Sequence, residues 1–235
     1  MPSCQRVSPA PASCYFDKAE EKQYIAAVKR PIVITGIGMV TPLGNDLRTT
    51  WEAVKAGRSG VGPLTKFDAS AFPVRIAGEV KGFDPLRFMG AKEARRTDPF
   101  IQFALAAALM AMEDARLSVS APLDLRTGVL IGSGRGGVLT SEANMRAFLK
   151  EGPRAVSPFY TPMSLVNMAS GYVAMKLAAK GPCLDVSTAC ATGTHALGEA
   201  LRIIQRGDAD IMIAGGSEAA ISPLVLAGFC QAKAL

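Results

Sequence analysis

At 235 residues and 49% hydrophobic, the chain can bury a substantial core and fits one large domain or two small ones. Its longest apolar runs, such as 103–112, fall well short of the ~20 residues that cross a bilayer, so no membrane segment is expected. A formal charge of +6, without a basic block that interleaves aromatics, argues against nucleic acid and leaves an acidic protein or an anionic substrate as the plausible partner.

Residues 1–30 carry prolines, Cys4, Cys14 and scattered charges, with no continuous apolar stretch of the secretory kind; they stand as an N-terminal extension to which the sequence assigns no element. From residue 31 onward, strand-like apolar runs alternate with helical patterns. "PIVITGIGMV" reads as a strand, a helix follows near Leu47–Lys55, a second opens at "TDPF", and "GVLIGSG", "CLDVSTA" and "DIMIAGG" read as further strands. That alternation favours an α/β layered fold with a largely parallel sheet. In the helix opened by "TDPF", Asp98 is a natural N-cap and Pro99 the first helical residue, where a missing N–H costs nothing. The helix is nearly apolar all round, with Phe103, Leu105, Leu109 and Met112 among its bulky members, and is expected to be buried. The helix after residue 190 carries Leu197, Leu201 and Ile204 at helical spacing, and Gly207 stands where a left-handed C-terminal cap is wanted.

Five cysteines, an odd number without a C-x-x-C pair, argue against a disulfide framework and a zinc site and favour a reducing cytoplasm. Cys190 stands apart because it lies at a strand-to-helix junction. The positive end of a helix dipole there, worth up to ~2 kcal/mol in partly buried geometry, would lower a thiol pKa from ~8.5 to about 7. Ala189, Ala191, Thr192 and Gly193 around it are small, so a substrate can approach closely. Cys183 lies in the preceding strand and reads as core, and Cys230 has no supporting context. His195, the single histidine, is five positions on; on a helix that is ~140° around and ~7.5 Å along the axis, beyond hydrogen-bond reach of the thiol. It reads as a packed or surface histidine rather than as half of a Cys–His dyad.

Two glycine motifs need weighing. "TGIGMVTPLG" has Gly36 and Gly38 after an apolar run, as a dinucleotide site would, but Thr41 replaces the third glycine and Pro42 interrupts the helix, so it reads as a tight post-strand turn. "GSGRGG" at 132–137 lacks the Lys-Ser/Thr ending of a phosphate-cradling loop; its glycines let backbone pass close to a bound chain or a neighbouring element. The cluster Arg87, Lys92, Arg95 and Arg96 just ahead of the buried helix reads, on spacing alone, as a solvated face.

The stretch "VSTACATGTHALGEALRIIQRGDADIMIAGGSEAAISPLVLAGF" resembles the nucleophile region of β-ketoacyl-acyl carrier protein synthases, the type II condensing enzymes of fatty-acid synthesis, and "VITGIGMVTPLGN", "GSGRGG" and "SPFYTPMSLVNMASGYVAMKLAAKGP" resemble the same family. The resemblance covers 31–235 and implies a thiolase-like fold, of which this chain is the N-terminal half of a duplicated five-layer architecture whose C-terminal half is absent. It implies that Cys190 accepts an acyl group from acyl carrier protein as a thioester, with its backbone N–H in the oxyanion hole, and that decarboxylative condensation with malonyl-acyl carrier protein follows. It also implies a homodimer, or pairing with a separate second half, and no cofactor or metal. Lys92, Arg95 and Arg96 fall where the family docks the acidic carrier, and Ala189 and Thr192 fall beside the substrate. Arg135 falls at an acyl-pocket position that is small or apolar in type II enzymes, a departure bearing on chain length. His195 matches neither catalytic histidine of the family's second half, so the isolated chain is expected to be acylated at best and not to condense. Two competing readings are a non-catalytic chain-length-factor-like subunit, which Cys190 opposes, and a polyketide ketosynthase; a nucleotide-binding domain using Gly36 and Gly38 is a third.

Overall fold

The computed structural model describes residues 31–119 and 123–235, so the extension at 1–30, with Cys4 and Cys14, lies outside the described residues. The chain divides into two units, Met1–Ile32 and Val33–Leu235, and the architecture below is that of the second. In chain order its helices are α1 Leu47–Lys55, α2 Ala91–Ala94, α3 Pro99–Asp114, α4 Val138–Glu151, α5 Tyr160–Ser164, α6 Met168–Leu177, α7 Thr192–Arg206 and α8 Pro223–Gln231. The strands are β1 Gly62–Pro63, β2 Ile76–Ala77, β3 Thr127–Gly132, β4 Cys183–Leu184 and β5 Ile211–Gly216. A small antiparallel pair, β1 with β2, stands apart from a parallel sheet ordered β4-β3-β5.

β3 is buried along its whole length because its alternate side chains enter two cores. Val129 and Ile131 face Phe100, Ile101, Leu105, Ala169 and Val173 of α3 and α6, whereas Leu130 faces Ala196 and Ile203 of α7. The result is helices on both faces of a parallel sheet, as the alternation of elements predicts. Where the short β3–β4 ladder ends, Ser170 of α6 continues it: its hydroxyl accepts from Ile131 N (2.7 Å) and donates to Leu184 O (2.6 Å).

Asp98 and Pro99 start α3 as expected, and no residue from Phe100 to Met112 is exposed. Asp98 does more than cap. One oxygen accepts from Phe100 N (3.2 Å), and the other from Thr140 N (3.0 Å) and Thr140 Oγ1 (2.7 Å), so a single buried carboxylate joins α3 to the first turn of α4. Burial pushes its pKa up, and the Thr140 and Phe100 donors only partly offset this.

Three expectations need correction. The run at 31–40 forms no ladder among the described residues, and Val33 and Ile34 are 73% and 76% exposed. Its glycines are not turn residues: a Cβ on Gly38 would lie 1.9 Å from Ala107 O and one on Gly36 2.1 Å from Ala111 O, so both are needed for backbone to cross the surface of α3. The tight turn lies just beyond, where Thr41 N donates to Gly44 O (2.8 Å) and Gly44 N to Thr41 O (3.2 Å). On α7 the buried face is Thr192, Ala196, Ala200 and Ile203, while Leu197 and Leu201 are 51% and 39% exposed. Small side chains let the helix axis approach the sheet, which turns the leucines outward. Cys183 is exposed because, among the described residues, β4 pairs with β3 on one side and forms an edge of this sheet. Partial burial of its sulfur and then the Asp185 carboxylate push its thiol pKa up.

Replacing Asp98 with Ala strands three donors in the core and is expected to lower unfolding stability by about 3 kcal/mol, from a lost cap plus unsatisfied groups, as read by urea denaturation. A carboxyl whose folded pKa is raised contributes most below its unfolded pKa and loses that contribution as pH rises through the folded value. The deficit of D98A is therefore expected to be larger near pH ~4 than at neutrality.

Candidate active site

The carboxyl ends of parallel strands are where α/β sheets place their sites, and here three of them converge on one turn. β4 leads into it, a short 3-10 turn Ala189–Ala191 holds Cys190, and α7 starts at Thr192. The turn is pressed against the ends of the other two strands by glycine. A Cβ on Gly132, the last residue of β3, would lie 2.2 Å from Val186 O and 2.4 Å from Thr192 Cγ2; one on Gly216, the last of β5, would lie 3.0 Å from Gly193 Cα. Backbone therefore meets backbone on both sides of the thiol.

Inside the turn, Thr188 N donates to Thr192 Oγ1 (2.8 Å) and Ala191 N to Thr188 O (3.1 Å). Ala189 sits at φ +52°, a left-handed conformation that costs an L-residue about 1–2 kcal/mol and persists only where the surroundings enforce it. Cys190, the next residue, is an exposed free thiol. His195 Nδ1 lies 2.8 Å from Thr188 Oγ1, so the histidine braces the turn from the first coils of α7. Thr192 is buried, with its hydroxyl and methyl occupied by Thr188 and by the end of β3, so its side chain helps to hold the turn.

The "GSGRGG" loop forms the facing wall. Gly136 has φ +59°, and a Cβ on Gly137 would lie 2.0 Å from Met163 O, so these glycines admit a neighbouring segment, one of the two roles that the sequence left open. A Cβ on Gly134 would lie 3.6 Å from Ala189 Cα, ordinary contact with the strained residue. The loop is tied by Glu218, whose Oε2 accepts from Gly134 N (3.0 Å) and Arg135 N (3.1 Å). As a residue Glu218 is exposed, yet its carboxylate is withdrawn far enough for burial to push its pKa up against the pull of those amides. The Arg135 side chain is exposed, with its guanidinium carbon 5.7 Å from the Phe229 ring of α8. Glu218 has no assigned role in the sequence reading. Sequence offers only a carboxylate two residues beyond the glycine pair that ends the apolar strand, with nothing to show its partners.

Arg135, Ala189, Cys190 and Thr192 thus gather at one end of the sheet, whereas Lys92, Arg95 and Arg96 occupy a different surface. All three are exposed on or just after α2, and the Arg96 guanidinium lies 4.3 Å from the Phe159 ring centre. Lys92 and Arg96 border a cleft of about 320 Å³ floored by Ile101, Phe159, Met168 and Met175. At its edge the Tyr172 hydroxyl is pushed up to about 12 by burial and then by the charge and hydrogen bond of Glu93. Glu93 also accepts from Gly90 N (2.8 Å) and pairs with Lys176 (3.2 Å), which fixes the short helix that presents the basic residues.

The sequence profile of the beta-ketoacyl synthase N-terminal domain matches residues 29–235. The chain belongs to the β-ketoacyl synthase family. The 3-oxoacyl-[acyl-carrier-protein] synthase 2 proteins of Coxiella burnetii and Vibrio cholerae are 50% and 47% identical to it over 207 residues, 88% of this chain and 50% of each relative. This β-ketoacyl synthase chain therefore spans about half the length of the curated relatives it matches. Among solved structures, the ishigamide ketosynthase/chain length factor superposes with a TM-score of 0.79 at 30% identity, over 86% of this chain and 51% of that one. A β-ketoacyl synthase from Burkholderia phymatum superposes at 0.74 with 29% identity, over 85% and 49%. A type II polyketide acyl-carrier protein in complex with its ketosynthase gives 0.71 at 25% identity, over 84% and 53%. The fold is that of one half of a thiolase-like ketosynthase.

Adding a methyl at Gly132 drives it into Val186 O and the Thr192 side chain. G132A is expected to cost about 1–3 kcal/mol through overpacking and to slow Cys190 alkylation relative to Cys230. Thermal melts and mass mapping after brief iodoacetamide treatment check both.

Proposed function

We propose that this chain is the nucleophile-bearing half of a β-ketoacyl-acyl carrier protein synthase of fatty-acid biosynthesis. The Cys190 thiolate attacks the carbonyl of an acyl-carrier thioester, its backbone N–H stabilises the oxyanion, and the carrier thiolate departs, leaving the acyl group on sulfur. In the complete reaction a malonyl-carrier thioester loses carbon dioxide, the resulting carbanion attacks the acyl-enzyme carbonyl, and the Cys190 thiolate is released. The observation that carries this reading is an exposed thiol in a strained turn at the carboxyl ends of three parallel strands, in a chain 50% identical to a 3-oxoacyl-[acyl-carrier-protein] synthase 2.

Ala189 and Arg135 border the acyl group in this proposal, and Lys92, Arg95 and Arg96 receive the acidic carrier. Support for the docking role comes from their exposure on or just after one short helix that Glu93 ties to Lys176, and from a solved relative described as an acyl-carrier protein in complex with its ketosynthase. The proposal includes a homodimer in the cytoplasm; the exposed Leu184, Leu197 and Leu201 supply apolar surface for association. A chain-length-factor-like role is the second reading, favoured by the likeness to the ishigamide ketosynthase/chain length factor and opposed by the nucleophile.

Incubation with an acyl-carrier thioester is expected to place the acyl group on Cys190, as read by peptide mass mapping, and C190A should carry none. Acylation spread evenly over Cys183, Cys190 and Cys230, or absent, would favour the partner-subunit reading. Reversing the basic surface in a K92E/R95E/R96E variant is expected to slow acylation from the carrier about tenfold or more while leaving acylation from a small carrier-free thioester unchanged.

A further inference from the structure

Ala189 holds its left-handed conformation against a steric cost, so something outside the turn must hold it there. Gly132 and Thr192 close one side of the turn, and the other faces the loop at Gly134, where an added Cβ would lie 3.6 Å from Ala189 Cα. Within that loop Ser133 Oγ accepts from Gly136 N (2.9 Å), and at its far end Gly137 N donates to Ser164 O (3.1 Å). At Gly134 and Arg135 the tie is Glu218, which reaches back from beyond β5 over more than 80 residues of sequence to take two successive amides on one oxygen. Its other oxygen lies 3.5 Å from Ser133 Oγ. Two backbone donors converging on one carboxylate oxygen fix both the height and the direction of the loop, and hydrogen bonds to an ionised acceptor are the stronger kind.

We propose that Glu218 is a positioning residue for the thiol chemistry of Cys190: by pinning the 133–135 backbone against Ala189, its carboxylate keeps the cysteine turn in the strained form that presents the sulfur at the start of α7. The inference rests on Cys190 being the acyl-accepting nucleophile. Its consequence is specific. Without the acceptor, the loop withdraws, Ala189 relaxes to an ordinary backbone region, and the thiol leaves its place ahead of the helix.

The test uses the full chain and two variants. E218Q keeps one oxygen for the two amides, and E218L removes it at similar volume. Rates of iodoacetamide alkylation are read site by site, with Cys230 as internal reference, together with amide hydrogen exchange at Gly134 and Arg135. The expected result is that E218L lowers the Cys190-to-Cys230 rate ratio about fivefold or more and frees both amides, whereas E218Q recovers at least about half of the ratio. A wild-type ratio in folded E218L, or a fall in E218Q as deep as in E218L, overturns the proposal. If E218L does not fold, seen as joint acceleration of Cys183 and Cys230, the wild-type amides decide: protection of both sustains the clamp, and exchange at free-loop rates overturns it. Wild-type Cys190 reacting no faster than Cys230 defeats the nucleophile reading and the clamp with it. That result is distinct from failure of the clamp alone, in which wild-type Cys190 outpaces Cys230 and E218L does the same.

Discussion

The site depends on main chain touching main chain at the carboxyl end of β3. Gly132 abuts Val186 and Thr192 and Gly137 abuts Met163 at separations that no Cβ tolerates, and Gly216 abuts Gly193 at one that leaves a Cβ little room. Because β3 is buried on both faces and held in register with β5 over its full length, its end is among the most firmly located points in the molecule. A thiol carried on a turn pressed against that end inherits its position.

Carboxylates do the joining elsewhere, and their environments divide them. Asp98 links two helix starts in the core, and Glu218 links two sheet ends; for both, burial is the larger influence and the pKa rises. At Glu79 desolvation is outweighed by the hydroxyl of Thr65 (2.6 Å) and the amides of Thr65 and Lys66 together, and its pKa falls. Asp98 has the same complement of one hydroxyl and two amides, so the extent of desolvation, rather than the number of donors, decides which way each acid moves.

Much of this was legible in the sequence, for reasons that can be named. The α3 start was readable because Asp98 and Pro99 are local signals, and α1 and Gly207 likewise. The parallel sheet followed from alternation of elements, and the place of Cys190 between β4 and α7 from the strand-to-helix pattern around it. What failed were inferences that need a partner. An apolar run such as 31–40 reads as a strand whether or not a ladder exists beside it, and a cysteine in a strand reads as core although an edge strand leaves it exposed. Glu218 was invisible because its partners lie more than 80 residues away and are backbone amides, which sequence does not distinguish.

The left-handed backbone at Ala189 sets two kinds of selection against each other. Glycine there would relieve the steric cost and raise the unfolding free energy, so a search for heat-tolerant variants would favour it; a search for thiol reactivity would discard it if the more pliable turn no longer aims the sulfur. Directed evolution run under both pressures would be expected to separate at this one position before any other in the neighbourhood.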